Sequence, residues 1–217
     1  MPLDGKNQPH ILILNGSIRG VQGNSYALAK LAENFLTTKL SVNASILNLA
    51  EPKPSTKEVY DLLLRSAGFL VVSGTYWSSW GSPLQRFLEV ATTFENSPAF
   101  FGKPVACAVS MDSVGGAEVA SRMHAAFAGL GCWSPPCATL AVSRVGQEAI
   151  TASLGQTDDP NEDVWRIADL EIILKNLITA TTLHQNLWVS WPHVTLSMPD
   201  GPWPETGTID LNTPRFI

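Results

Sequence analysis

Short runs of continuously apolar residues alternate with helix-periodic segments along most of the chain. Residues 10–15 (HILILN) are too few for a helix and are bounded by Pro9 and Gly16, which predicts a buried strand. A helix is expected over 24–38, with Ala27, Leu31 and Phe35 at i, i+4 and i+8 and Leu28 beside them. Residues 44–49 form the second strand. Ser55-Thr56-Lys57-Glu58 has the form of a capping box opening a helix to residue 67, because Ser55 and Glu58 satisfy each other's free amides. Residues 68–73 (GFLVVS) give the third strand. Ser82-Pro83 supplies a cap and an N1 proline for a helix with Leu84, Phe87, Leu88 and Ala91 on one face. A fourth strand follows at 105–111, a fourth helix at 117–130 stopped by Gly131, and a fifth strand at 137–142. Asp159-Pro160-Asn161-Glu162 combines cap, proline and glutamate, and its helix carries Ile167, Leu170, Leu174, Leu177 and Ile178 toward residue 185.

Continuously apolar strands are covered on both faces, so the alternation predicts an α/β fold: a three-layer sandwich with a five-stranded parallel sheet between helices. Residues 1–185 read as one domain. Residues 186–217 read as an irregular C-terminal tail, with five prolines, three tryptophans (Trp188, Trp191, Trp203) and few charges. Exposed tryptophan is costly, so the tail is expected to pack on the domain or on a neighbouring subunit.

Composition narrows the function. Of 217 residues, 45% are hydrophobic and 15% charged, against about 25% charged in an average globular chain, which excludes disorder. The low charge also hints at oligomerisation. A net charge of −5 and a pI near 5.3 disfavour a nucleic-acid partner. No apolar run reaches the ~18 residues of a spanning helix, and the first residues have no apolar signal region, so no membrane association and a cytoplasmic location are expected. Cys107, Cys132 and Cys137 make no disulfide framework or Cys-x-x-Cys, and the four histidines lack metal-ligand spacing, so no metal is expected. No Gly-x-Ser-x-Gly elbow is present for an acyl-transfer serine.

Ligands of an open parallel sheet bind beyond the carboxyl ends of its strands where the winding reverses. Strand order 2-1-3-4-5 sets the loops after strands one, three and four side by side. The first, Gly16–Ser25, has three glycines (Gly16, Gly20, Gly23) that let backbone amides approach an anion, with Ser17, Arg19, Asn24 and Ser25 at a helix start, a composition suited to a phosphate monoester. It is neither a Walker loop nor Gly-x-Gly-x-x-Gly, because Ile18 stands where a glycine is required; its plainer reading is a strand-to-helix turn with an Asn cap. The second, Gly74–Ser82, holds Tyr76, Trp77 and Trp80 among small polar residues able to flank a flat ring, or to serve as packing anchors. The third, Ser110–Gly116, ends in paired glycines before a helix.

Gly-Ser-x-Arg followed by Gly-Asn-Ser, then Thr-Tyr-Trp with Leu84-Gln85-Arg86-Phe87-Leu88, then Lys103-Pro104-Val105 before a glycine-rich loop, resembles the NADPH-dependent FMN reductases over roughly residues 9–140. The resemblance implies a flavodoxin-like fold, bound FMN and reduction by NADPH (or NADH). It implies that Ser17, Arg19, Asn24 and Ser25 hold the FMN phosphate, that Thr75, Tyr76, Trp77 and Ser79 lie along the isoalloxazine, and that Ser110, Gly115 and Gly116 meet its pyrimidine edge. It further implies a small-molecule electron acceptor, such as a quinone, azo compound or free flavin, and a homodimer or homotetramer. No catalytic side chain is required, because the flavin itself carries the hydride chemistry. The rival readings are an electron-transfer flavodoxin and a flavin-free regulatory protein on the same scaffold. Gly74 departs from the family's frequent proline, and the tail has no family counterpart.

Overall fold

Five parallel strands pair in the order β2-β1-β3-β4-β5: β1 His10–Asn15, β2 Asn43–Asn48, β3 Gly68–Gly74, β4 Val105–Met111 and β5 Thr139–Ser143. The structure, a computed structural model, describes residues 8–52, 55–146, 168–183, 188–191 and 203. Successive residues of the inner strands face opposite sides, as the two-residue period of a strand requires. Leu12, Leu14, Phe69, Val71, Val105 and Cys107 point into one core, while Ile11, Ile13, Leu70, Val72, Ala106 and Ala108 point into the other. Helices α2 (Thr56–Arg65), α3 (Ser82–Ala91) and α4 (Gly116–Gly129) cover the first side; α1 (Asn24–Thr38) and α5 (Ala168–Thr181) cover the second. This is the flavodoxin-like three-layer arrangement that the sequence predicts.

Several details differ. The apolar face of α1 is Leu28, Ala29, Ala32 and Leu36, so Ala27 and Leu31 face outward and Phe35 is half-buried. Both stripes have helical spacing, and the small Ala29 and Ala32 let the helix approach the sheet closely. The strand β5 alternates between exposed and buried residues, as befits an edge strand, and begins at Thr139 because Cys137 turns the chain with φ 54°. Helix α3 is capped by Gly81 instead of Ser82: the Gly81 amide donates to Ser73 Oγ at 3.0 Å, and a Cβ there would lie 2.4 Å from the Gly16 carbonyl oxygen.

The capping box of α2 is present, with Ser55 N donating to Glu58 Oε2 at 2.9 Å and Glu58 N to Ser55 Oγ at 3.3 Å. That helix ends at Arg65, where Ser66 turns extended. Helix α4 stops before Gly131, at φ 105°. Leu170, Leu174 and Leu177 are buried in α5 as expected, joined by Ile173 and Ala180; Ile178 is half-buried. The Asp159–Glu162 helix start and Ile167 lie outside the described residues. Of the tail's tryptophans, Trp203 is buried and stacks on Phe87 with centroids 5.7 Å apart, Trp188 lies beside Trp133, and Trp191 is exposed.

Candidate functional site

The first loop leaves β1 with Gly16 pinned to β3 through its amide and the Val72 carbonyl, at 2.7 Å. Ser17 is buried, and its Oγ accepts from the Arg19 amide at 3.3 Å. Gly20, at φ 52°, reverses the chain into a single 3₁₀ turn over Gly20–Gln22. Gly23 then caps α1 and passes so close to Ser17 that a Cβ on it would lie 2.2 Å from Ser17 Oγ. Helix α1 therefore opens on a glycine with no side-chain cap, its positive end directed at the same space. Asn24 is the first helical residue and does not cap, which separates this loop from an ordinary Asn-capped turn.

The second loop is fixed at its base by the Thr75 amide, which donates to the Ser110 carbonyl at 2.9 Å. Tyr76 and Ser79 exchange backbone hydrogen bonds at 2.8 and 3.0 Å around a turn whose central residues, Trp77 and Ser78, have φ 49° and 56°. Two successive non-glycine residues in the left-handed region cost on the order of 1–3 kcal/mol each. Arg122 offsets part of that by donating to the Ser78 carbonyl at 2.8 Å while lying over the Trp80 ring, 5.0 Å from its centroid. The turn throws the Trp77 side chain entirely into solvent, at 103% exposure.

The third loop is tied to both neighbours. Ser110 Oγ shares a 2.9 Å hydrogen bond with Ser25 Oγ on α1. The end of β5 clamps Asp112: Arg144 Nε meets its Oδ1 at 2.7 Å and the Val145 amide donates to its carbonyl at 2.8 Å. Gly115, at φ 92°, turns the chain into α4, and the Gly116 amide donates to Met111 Sδ at 3.1 Å.

Together the loops enclose a cavity of about 420 Å³. Of the residues expected from sequence, Ser17, Arg19, Asn24, Ser25, Thr75, Tyr76 and Ser110 line it. Trp77, Ser79, Gly115 and Gly116 are not in its wall: Trp77 and Ser79 belong to the outward turn, and the two glycines form the bend behind Met111. Gly23, Gly74, Met111, Asp112 and Arg144 line the cavity without having been singled out. Gly23 and Gly74 were visible as members of loops already marked; Arg144, just past β5, had no motif to announce it.

The wall offers two guanidinium groups, one carboxylate and several hydroxyls, and no reactive nucleophile. Burial pushes the Cys107 and Cys132 thiols far up, so both stay protonated at neutral pH. Among the described residues no His, Cys, Asp or Glu cluster could hold a metal, and no helix is long and apolar enough to cross a membrane.

A phosphorylated flavin fits this donor set on three observations. The uncapped α1 terminus and Arg19 suit a dianion. The missing Cβ at Gly23 leaves the Ser17 hydroxyl its place beside the α1 terminus, since a Cβ there would lie 2.2 Å from Ser17 Oγ. Thr75 Oγ1 is buried with no hydrogen-bond partner among the described residues, a state rare in native proteins unless a ligand or water completes it.

Fold and cavity thus define an α/β protein of the flavodoxin-like class with a ligand site at the strand carboxyl ends. Residues 9–147 match the NADPH-dependent FMN reductase family, and the chain belongs to it. It is accordingly an oxidoreductase with FMN as its flavin and NAD(P)H as electron donor. No curated protein matches its sequence. Among solved structures it is similar to RosB with a bound 8-demethyl-8-formylriboflavin-5'-phosphate intermediate, at 12% identity and TM-score 0.64, covering 96% of this chain and 94% of RosB. An oxidoreductase from Corynebacterium diphtheriae aligns at 12% identity and TM-score 0.62, covering 81% of this chain and 98% of that one. FerB, an NAD(P)H:(acceptor) oxidoreductase from Paracoccus denitrificans, aligns at 14% identity and TM-score 0.56, covering 80% and 97%. At these identities the likeness is one of fold.

Proposed function

We propose that this protein is an NAD(P)H-dependent reductase of a small acceptor, such as a quinone, an azo compound or free flavin, with the FMN phosphate in the Gly16–Ser25 loop. The observation that carries the reading is the convergence of Ser17, Arg19, Asn24 and Ser25 on an uncapped helix terminus. When bound, the flavin supplies the hydride chemistry. The protein's own groups orient it. The Ser17 hydroxyl and the first amides of α1 take the phosphate, with Arg19 as its counter-charge. Thr75, Tyr76 and Ser110 line the same cavity from the second and third loops, where the ring is assigned, and the orphan Thr75 hydroxyl is offered to a polar edge of it. Trp77, Ser79, Gly115 and Gly116, behind or above this wall, are assigned to the ring's surroundings and not to direct contact.

The three loops that line the cavity also carry exposed apolar side chains, Ile18, Trp77 and Val114. Such a rim supports a homodimer or homotetramer in which a second copy covers the site. The three free cysteines support a reducing, cytoplasmic setting. An electron-transfer flavodoxin and a flavin-free regulator are the alternatives. Anaerobic addition of NADPH to the FMN-loaded protein separates them. Rapid bleaching of the flavin, followed by reoxidation on adding a quinone, is expected. A flavin that stays oxidised in NADPH for minutes would overturn the reductase reading.

A further inference from the structure

Asn15, the last residue of β1, is fully buried and does not line the cavity. Its carboxamide makes three hydrogen bonds, using both N–H donors and one acceptor site, to neighbours in the first loop and β2. Oδ1 accepts from the Ser17 amide at 3.3 Å, and Nδ2 donates to the Gly20 carbonyl at 3.3 Å and to Asn48 Oδ1 at 2.8 Å. Asn48 is its register partner on β2 and is half-buried.

One side chain thereby grips both ends of the turn from Ser17 to Gly20, a turn closed by the Gly20 amide donating to the Ser17 carbonyl at 3.1 Å. Because the Ser17 amide is directed down at Asn15, Ser17 turns its hydroxyl toward Gly23 and the cavity. The residue type is constrained as well. The site asks for one acceptor and two donors, which a carboxamide has. A carboxylate of the same size loses both donors and adds a negative charge beneath an anion loop; an apolar isostere orphans the Ser17 amide.

We propose that Asn15 is the positioning residue of the phosphate end of the flavin site, with Asn48 as the group that orients it. The inference rests on the reading that the FMN phosphate occupies Gly16–Ser25. A purely structural asparagine would support the fold, so its loss would weaken every flavin alike. A positioning asparagine acts on the phosphate alone.

Apoproteins of the wild type, Asn15→Asp, Asn48→Ala and Ser17→Ala are titrated with FMN and with riboflavin by flavin fluorescence, and their thermal unfolding is recorded without ligand. Asn15→Asp is expected to weaken FMN about 100-fold or more, since it disturbs several charge-assisted contacts together, and riboflavin by no more than about threefold. Asn48→Ala leaves the Asn15 bonds to the loop intact but unanchors the amide; it is expected to weaken FMN roughly tenfold, again selectively. Should Asn15→Asp fail to fold, Asn48→Ala carries the test, because Asn48 is half-buried and its loss is tolerable. Equal losses for the two flavins, or unchanged FMN binding in both variants, would overturn the role of Asn15 if Ser17→Ala still loses FMN selectively. Absence of selectivity in Ser17→Ala would overturn the phosphate reading, and the role of Asn15 with it.

Discussion

A methyl group at position 23 tests how closely the first loop is built around Ser17. Gly23 has φ −93° and ψ 156°, a conformation alanine adopts freely, so the backbone need not change. The new Cβ would lie 2.2 Å from Ser17 Oγ but 3.3 Å from Ser17 Cβ and 3.4 Å from Arg19 Cβ. Only the hydroxyl is in severe conflict. It must rotate away, losing both the Arg19 amide and its place in the cavity. A hydrogen bond to a charged group contributes about 1.5–3 kcal/mol, so Gly23→Ala should weaken FMN by roughly 10- to 100-fold. Exchanging glycine for alanine at an N-cap also costs the helix up to about 1 kcal/mol, an effect that riboflavin shares. Removing the hydroxyl first changes the outcome. In a Ser17→Ala background the remaining contacts are those at 3.3 and 3.4 Å, which a shift of a few tenths of an ångström relieves. The double variant should therefore bind FMN about as well as Ser17→Ala alone, a coupling of about 1.5–3 kcal/mol. Fluorescence titration of the four apoproteins measures the cycle. Additive losses, or full FMN affinity in Gly23→Ala, would refute the cradle.

Other consequences follow from the packing. Lys103 is 3% exposed and donates to the Leu63 and Leu64 carbonyls at the end of α2, at 2.7 and 2.9 Å. Lys103→Met should cost about 1–3 kcal/mol in urea unfolding by orphaning those acceptors. Burial lowers the Lys103 ammonium from 10.5 to about 8, so between those values the unfolded chain binds the proton and the folded chain does not. Wild-type stability relative to Lys103→Met should then rise from pH 8 toward 10.5, and a flat difference would count against the burial cost. Trp203 stacks on Phe87 while its Nε1 has no partner among the described residues; Trp203→Phe should be nearly neutral in thermal unfolding, whereas Trp203→Ala should cost about 3–5 kcal/mol. Trp77→Ser should shift sedimentation at micromolar concentration toward the monomer if a second copy covers the rim, and an unchanged profile would place that interface elsewhere.

The sheet was legible because its inner strands are short, apolar and bounded by turn residues, and 2-1-3-4-5 is a common order for a doubly wound sheet of five strands. Boundaries slipped where a tertiary contact overrode a local signal. Ser82-Pro83 is a sound helix start by sequence, yet the chain turns one residue earlier, at Gly81, because that residue packs on the Gly16 carbonyl and bonds Ser73. The α1 stripe was misread because Ala27–Leu31–Phe35 and Leu28–Ala32–Leu36 have equal spacing, and only the close approach to the sheet selects the second. Within the cavity wall, Ser17, Arg19, Asn24 and Ser25 were marked by their chemistry and their place before a helix. Trp77 was drawn toward the ring by its aromaticity, but two left-handed residues aim it outward. Arg144 was missed because its pairing with Asp112, a member of the marked Ser110–Gly116 loop, spans two strand ends and leaves no local pattern. Asn15 was absorbed into an apolar strand, and its role is written in three hydrogen bonds that periodicity does not record.

In the proposed function a phosphate dianion sits between Ser17, Arg19 and the first turn of α1. The ³¹P resonance of FMN bound to the protein, followed from pH 5 to 8, addresses it directly. A free phosphate monoester takes up its second proton near pH ~6, and its resonance moves accordingly. Donors that favour the dianion hold that proton off, so the bound resonance should stay at the dianion position across the range. A bound resonance that titrates near pH ~6, as in free FMN, would put the phosphate in solvent and contradict the assignment of the Gly16–Ser25 loop.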